Sequence, residues 1–266
     1  VGRLAAELDL GELETAEGIV RIANQEMARA LRVVTVERGV DPRRFALLPF
    51  GGAGPMHAAE VAAELGIGRI LCPRAGGVLS ALGLCASDQR RDTARTVMLS
   101  GAELSGARIA DEVAELRASL DAGGETEVVY EMRYTGQAFE LSVPGSPDPD
   151  PDDLRERFAA THEERYGYRD PDGEIVLVDI RLAAVVPGPR PEPRAADEGG
   201  LTEAERPVCF GGEWLDSRVS RGEPPAGMRA RGPAVFELPE ATFVLPPGWS
   251  AEVDAAGTIR ANTEAV

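Results

Sequence analysis

From Glu14 to Arg38, apolar residues recur three and four places apart, at Ala16, Ile19, Val20, Ala23, Met27, Ala30, Leu31 and Val34. That spacing predicts one helix with a single apolar stripe. Gly39 and the Asp41-Pro42 pair supply its stop signals. Phe45-Ala-Leu-Leu-Pro-Phe50 is a short apolar run, long enough for a buried strand of a parallel sheet. Four small residues, Gly51, Gly52, Ala53 and Gly54, break it, and Pro55 stands where a helix takes its first residue. A small-residue helix to about Leu65, a strand from Arg69 to Cys72 and a helix from Val78 to Ser87 are expected next. Strand, helix, strand and helix joined by short connections read as α/β.

Beyond Ser100 the pattern changes. Val113, Leu116 and Leu120 share one face of a helix expected over Ile109 to Leu120, and Gly123-Gly124 ends it. Strand patterns cover Val128 to Tyr134, Ala138 to Val143 and Glu174 to Val186, and a helix from about Asp152 aligns Leu154, Phe158, His162 and Tyr166. This stretch, residues 101–186, reads as α+β. Residues 187–205 carry four prolines, Pro187, Pro189, Pro191 and Pro193, among acidic residues, which predicts a linker or an extended wrapping segment. Residues 206–266 hold short β-like runs punctuated by Gly and Pro, as in a small antiparallel β domain. Four parts are therefore expected, with residues 1–100 as the first.

Composition narrows the function. At 266 residues the chain is long enough for about two domains, and 43% hydrophobic residues suffice for real cores. Acidic residues number 45 against 28 basic ones, a formal charge of -17 that repels phosphate backbones and anionic lipid. No nucleic-acid or membrane role is expected. Every basic side chain apart from histidine is Arg, so Schiff-base chemistry and a P-loop lysine are excluded within this sequence. Three scattered cysteines make no disulfide framework, no apolar run reaches the roughly 20 residues of a membrane span, and a reducing cytoplasm is the expected location. Val1 in place of an initiator Met suggests a processing product or a cut within a longer polypeptide.

The segment richest in chemistry is Phe50-Gly-Gly-Ala-Gly-Pro-Met-His57. Glycines let a backbone approach a ligand closely, and the first turn of a helix offers unpaired N–H groups to a phosphate or a ribose edge. The same glycines equally serve a tight turn between a sheet and a helix that pack closely. His57 falls in that first helical turn, where it either orients a polar group or acts near neutral pH, or merely caps and packs. His162 reads as a packed, hydrogen-bonded core histidine, and His162-Glu163-Glu164 lacks the second histidine of a zinc-protease helix. Asp148, Asp150, Asp152 and Asp153 read as a solvated cluster, and Cys72 and Cys85 as buried small hydrophobes. Arg133-Tyr-Thr-Gly-Gln137 is read as a bulged turn tied down by its Gln, with recognition of a planar carboxylate as the alternative. No catalytic constellation and no metal site emerge from the spacing.

Taken together these residues resemble a known family. Asp41 to His57, with the Phe50–His57 segment at its end, is similar to the signature of the hydantoinase A/5-oxoprolinase family. Pro73-Arg-Ala-Gly-Gly-Val-Leu-Ser-Ala-Leu-Gly83 resembles its continuation, and Arg133–Gln137 with Tyr166-Gly-Tyr168 its second region. Gly232-Pro-Ala-Val-Phe-Glu237 and Pro246-Pro-Gly-Trp249 resemble its C-terminal β region. The resemblance implies an ATP-dependent amidohydrolase of cyclic amides such as hydantoins or 5-oxoproline, of the N-methylhydantoinase A type. A related ATP-dependent ketone carboxylase subunit and a non-catalytic assembly module are the alternatives.

The resemblance also implies an architecture: the second half of an actin- or sugar-kinase-like ATPase domain, then an α+β domain and a small β-rich domain. In that fold Gly51, Gly52, Ala53, Gly54 and Pro55, with His57 beside them, form the adenosine-side turn of the nucleotide cleft. The Asp-x-Gly-Gly-Thr type phosphate motif and the second acidic Gly-Gly-Thr motif, which serve the phosphates and Mg2+, do not occur in this sequence. The chain is therefore expected to be the C-terminal part of such a subunit, inactive alone. It would contribute ribose and adenine contacts, a hinge half, and an interface in an oligomer with a hydantoinase B-type partner. ATP and Mg2+ are the cofactors of the intact enzyme.

Overall fold

In the computed structural model, which describes residues 1–120, 123–191 and 200–263, the chain opens with α1 (Gly2–Leu8) and α2 (Glu12–Val34). The helical stripe expected along α2 is largely uncovered. Thr15, Asn24 and Ala28 are its buried residues, whereas Ile19, Val20 and Val34 are exposed. The reason is the neighbour: α2 packs on α3 (Gly54–Leu65), an Ala-rich helix that offers close approach along a small-residue seam. The apolar run 45–50 is not a strand. Only Leu47 bridges, parallel to Ile70 of β1 (Arg69–Cys72), through Leu47 N–H to Arg69 O at 2.9 Å and Leu71 N–H to Leu47 O at 2.8 Å. Pro49 lacks the N–H to extend that ladder. A short 3-10 turn, Gly76–Val78, leads into α4 (Leu79–Ala86), an apolar helix with no buried residue.

The next compact unit is contiguous, Cys85–Arg190. It holds β2 (Gln89–Ser100), α5 (Gly106–Ser119), β3 (Glu125–Tyr134), β4 (Leu141–Gly145), α6 (Pro151–Tyr166) and β5 (Ile175–Val186). The strands form one antiparallel sheet in the order β2-β5-β3-β4. β5 is its long inner strand, which explains its near-continuous apolar run. The predicted stripes hold here except at one end: Val113, Leu116 and Leu120 are buried, as are Leu154, Phe158 and His162, against Tyr130, Met132, Leu177 and Ile180 of the sheet, whereas Tyr166, in the last turn of α6, is exposed. Full burial of Phe158 is worth about 2–3 kcal/mol by apolar transfer. Ser105 and Asp150 cap the two helices by accepting from Arg108 N–H and Asp152 N–H.

The chain then returns to its first part. β6 (Thr202–Phe210), β7 (Glu213–Arg221), β8 (Arg229–Arg231), β9 (Ala234–Glu237), β10 (Thr242–Leu245), β11 (Trp249–Val253) and β12 (Ile259–Thr263) make two four-stranded sheets together with β1. β1 pairs with β12, Arg69 opposite Asn262 through Cys72 opposite Ile259. One core joins Ala58, Ala62 and Leu65 of α3 to Phe236, Phe243, Leu245, Trp249 and Ile259.

Val1–Leu84 and Pro191–Val266 thus form one unit, which corrects the expectation of a separate β domain at 206–266 and of a first part reaching residue 100. Val1–Leu84 contributes a single strand, β1, too few for a sheet, and β1 completes one with the far end of the chain. The expected linker is shorter too, since β6 begins at Thr202, while residues 192–199 lie outside the described residues. The α/β expectation becomes a mixed α/β fold with three mostly antiparallel sheets, β7–β9 being the parallel pair.

Candidate functional site

The small-residue turn lies between the Leu47 bridge and α3. Gly51 adopts a φ of +80°, a conformation that costs any side-chain-bearing residue about 1–2 kcal/mol. Its N–H donates to Gly76 O at 2.8 Å, which ties the turn to the 3-10 turn. Gly77 in turn lies so close to the Glu240 backbone, between β9 and β10, that a Cβ there has no room. Gly52 and Gly54 differ. A Cβ on Gly52 would meet Glu240 O at 3.6 Å and one on Gly54 would meet Pro49 at 3.9 Å, both ordinary contacts. Gly52 and Ala53 are exposed, Gly51 and Gly54 half-buried, and Pro55 is buried in the first turn of α3. Backbone conformation therefore explains Gly51 and close packing explains Gly77, but neither explains Gly52 or Gly54.

His57 is half-buried one turn further on. Its Nδ1 lies 2.7 Å from Oδ1 of Asn24 on α2, and Nδ2 of Asn24 donates to the exposed Glu60 carboxylate. His57 and Glu60 are three residues apart, so both face α2. Asn24 itself is 3% exposed. Beside this seam lies a hollow of about 290 Å3 lined by Met27, Leu31, Leu48, Phe50, Gly54 and His57 together with other apolar residues. His57 is the one polar side chain in that lining. Asn24 and Glu60 were not legible as site residues. The available signal was an amide, a poor helix former, set inside the apolar spacing of α2.

The other singled-out residues resolve into structure. Gln137 ties the hairpin: its Oε1 accepts from Tyr134 N–H at 3.3 Å, its backbone O accepts from Arg133 at 2.6 Å, and its Nε2 meets His162 Nε2 at 2.8 Å. Arg133 Nε is the one buried side-chain nitrogen or oxygen without a partner among the described residues. His162 Nδ1 lies 3.0 Å from Tyr168 O, and Tyr134, Phe158, Tyr166 and Tyr168 surround the ring at centroid distances of 4.8–5.8 Å. Asp150 caps α6 and Asp153 pairs with Arg157 at 2.8 Å, and among the described residues no His, Cys, Asp and Glu group is arranged to hold a metal. Cys72 is buried, which pushes its thiol up to about 12 and leaves it inert. Cys85, expected to be buried, is exposed on α4. No helix of the described residues is long and apolar enough to cross a membrane.

A family model described as hydantoinase/oxoprolinase matches residues 1–93, and one described as its C-terminal domain matches residues 86–262. An uncharacterized protein of Methanocaldococcus jannaschii is 35% identical over 98% of this chain and 39% of its own length. Caprolactamase subunit alpha of Pseudomonas jessenii is 30% identical over 96% of this chain and 40% of its own. The crystal structure of that ATP-dependent caprolactamase aligns with a TM-score of 0.61 at 28% identity, over 98% of this chain and 41% of the other. Nucleotide-free acetone carboxylase, from work on ATP-dependent acetone carboxylation, aligns with a TM-score of 0.83 over 97% of this chain and 41% of that one, a likeness of fold at 22% identity. The chain spans about two fifths of the relatives' length. On the two family matches, which together span residues 1 to 262, the chain belongs to the hydantoinase/oxoprolinase family.

Proposed function

We propose that the chain is the C-terminal portion of an ATP-dependent cyclic-amide hydrolase and that it supplies the adenosine-side wall of the nucleotide cleft. The observation that carries this reading is the turn at Gly51, Gly52, Ala53 and Gly54, exposed at Gly52 and Ala53. Gly52 and Gly54 leave backbone bare where the chain itself has space for a Cβ, as a close-lying ribose or base requires. ATP, when bound with Mg2+, supplies the phosphoryl group that activates the amide oxygen. This chain's residues have a narrower task. The turn holds the sugar edge against backbone, Pro55 is buried and sets the start of α3 behind it, the hollow beside His57 shelters the base, and phosphate and metal ligands come from elsewhere. The apolar helix α4, on which Leu82 is exposed, supports a further role in contacts within the whole subunit or with a hydantoinase B-type partner.

Calorimetric titration of the 266-residue chain with adenosine and with MgATP tests the proposal. Saturable adenosine binding without phosphate release is expected. Phosphate release by this chain alone, or no adenosine heat at millimolar concentration, overturns it. In the whole protein, ATP turnover stimulated by a lactam, hydantoin or 5-oxoproline is expected, and turnover driven only by a ketone with bicarbonate would reassign it to carboxylation.

A further inference from the structure

We infer that Asn24 and Glu60 are positioning residues that fix His57 in one tautomer and present its Nε2 lone pair as the sole side-chain hydrogen-bond acceptor of the apolar hollow. This inference deepens the nucleotide reading above and, for its ligand class, rests on it. The argument is a chain of forced orientations. Glu60 is exposed to solvent, and a carboxylate only accepts. The amide group that meets it must therefore be the NH2 of Asn24, which leaves Oδ1 facing His57 Nδ1 at 2.7 Å. An amide oxygen also only accepts, so Nδ1 carries the ring proton and Nε2 of the neutral ring keeps a lone pair. Asn24 is 3% exposed, so water has little access to relax these orientations. Nε2 has no protein partner among the described residues.

The consequence is a specificity. A hollow of about 290 Å3 whose lining is apolar except for one acceptor suits a flat ring that carries an N–H donor. It disfavours an anionic group, which would meet the lone pair and the apolar wall. Within a nucleoside the matching piece is a purine with an exocyclic amine, so adenosine should bind better than purine riboside, which differs only in lacking that amine. One neutral hydrogen bond predicts a preference of about tenfold.

The test uses the 266-residue chain labelled with 15N at histidine. Nitrogen shifts and long-range couplings of His57 report which ring nitrogen is protonated. An Nδ1–H ring is expected in the wild type, and a mixture of tautomers in Glu60→Gln, where either amide end can face Asn24. Asn24→Leu should free the ring altogether. Because Asn24 is buried and that variant is at risk of misfolding, exposed Glu60→Gln is the decisive one. An Nε2–H ring in the wild type, or a tautomer unchanged in both variants, overturns the relay. Titration with adenosine and purine riboside then tests the ligand. A preference of about tenfold that shrinks in Glu60→Gln supports the specificity, and equal affinities overturn it. Failure of either nucleoside to bind a chain with an intact Nδ1–H ring overturns the nucleotide reading and leaves the relay standing.

Discussion

The two histidines of this chain are held by the same means and end in opposite states. His162 uses both ring nitrogens: Gln137 Nε2 donates to one, because its Oε1 is taken by Tyr134 N–H, and the other donates to Tyr168 O. Four aromatic rings close around it and it is fully buried. His57 uses one nitrogen, toward Asn24, and is half-buried beside a hollow and a bare glycine turn. In each case an amide with a committed far end dictates the tautomer. A histidine whose valences are all spent inside the fold is architecture, and one with a valence left over at a cavity is available for a ligand.

That contrast is most directly broken by truncating each ring. His162→Ala leaves the half-buried Gln137 amide without its partner and a void among aromatic rings, and should cost about 3 kcal/mol in urea denaturation. His57→Ala should cost about 1 kcal/mol, since water can reach the vacated position. Equal losses would mean that His57 is as structural as His162.

Sequence reading succeeded where contacts are local. The stripes Leu154–Phe158–His162 and Val113–Leu116–Leu120 were legible because periodicity alone specifies a buried helix face on a neighbouring sheet. The turn at residues 51–55 was legible as the break before a helix, because glycines end the apolar run and a proline suits the first helical turn. The strand β2 was not. Its run of Gln89, Arg90, Arg91 and Asp92 is exposed, it bulges between Thr96 and Leu99, and its pairing with β5 is what makes it a strand. Nor was the pairing of β1 with β12, whose partners, such as Arg69 and Asn262, are far apart in sequence. Asn24 escaped for a similar reason: only the packing of α2 on α3 reveals that its two ends face a histidine and a carboxylate.

The region around His57 is shaped by backbone approaches, whereas that around His162 is shaped by side chains, and glycine substitutions sharpen this difference. Gly77→Ala places a methyl on the Glu240 backbone and should cost about 2 kcal/mol, with hydrogen exchange accelerated in the β9–β10 turn. Gly51→Ala has open space around the new Cβ but a φ of +80°, so a smaller loss of about 1 kcal/mol is expected, together with weaker adenosine binding. A Gly51→Ala loss as large as that of Gly77→Ala would show that the turn is crowded, contrary to its exposure.

Acid offers the gentlest test of whether the two units answer alike. Asp254 lies in the tight turn between β11 and β12 and belongs to the unit that holds His57. Desolvation works against its charge, but the N–H groups of Thr258 and Ala256 and the Arg260 guanidinium outweigh it and hold the carboxyl below the ordinary range. A depressed carboxylate contributes stability above its unfolded value, near 4, and loses it as pH falls through the lower folded value. Hydrogen-exchange protection of the β11–β12 hairpin should therefore be flat at neutral pH and decline progressively below about pH 4. Asp254→Asn should lower protection at neutral pH by a few tenths of a kcal/mol and flatten the decline, because a side-chain amide keeps one acceptor for the turn but loses the charge that acid removes. Parallel acid profiles for the wild type and Asp254→Asn would mean that the turn is held by its backbone alone.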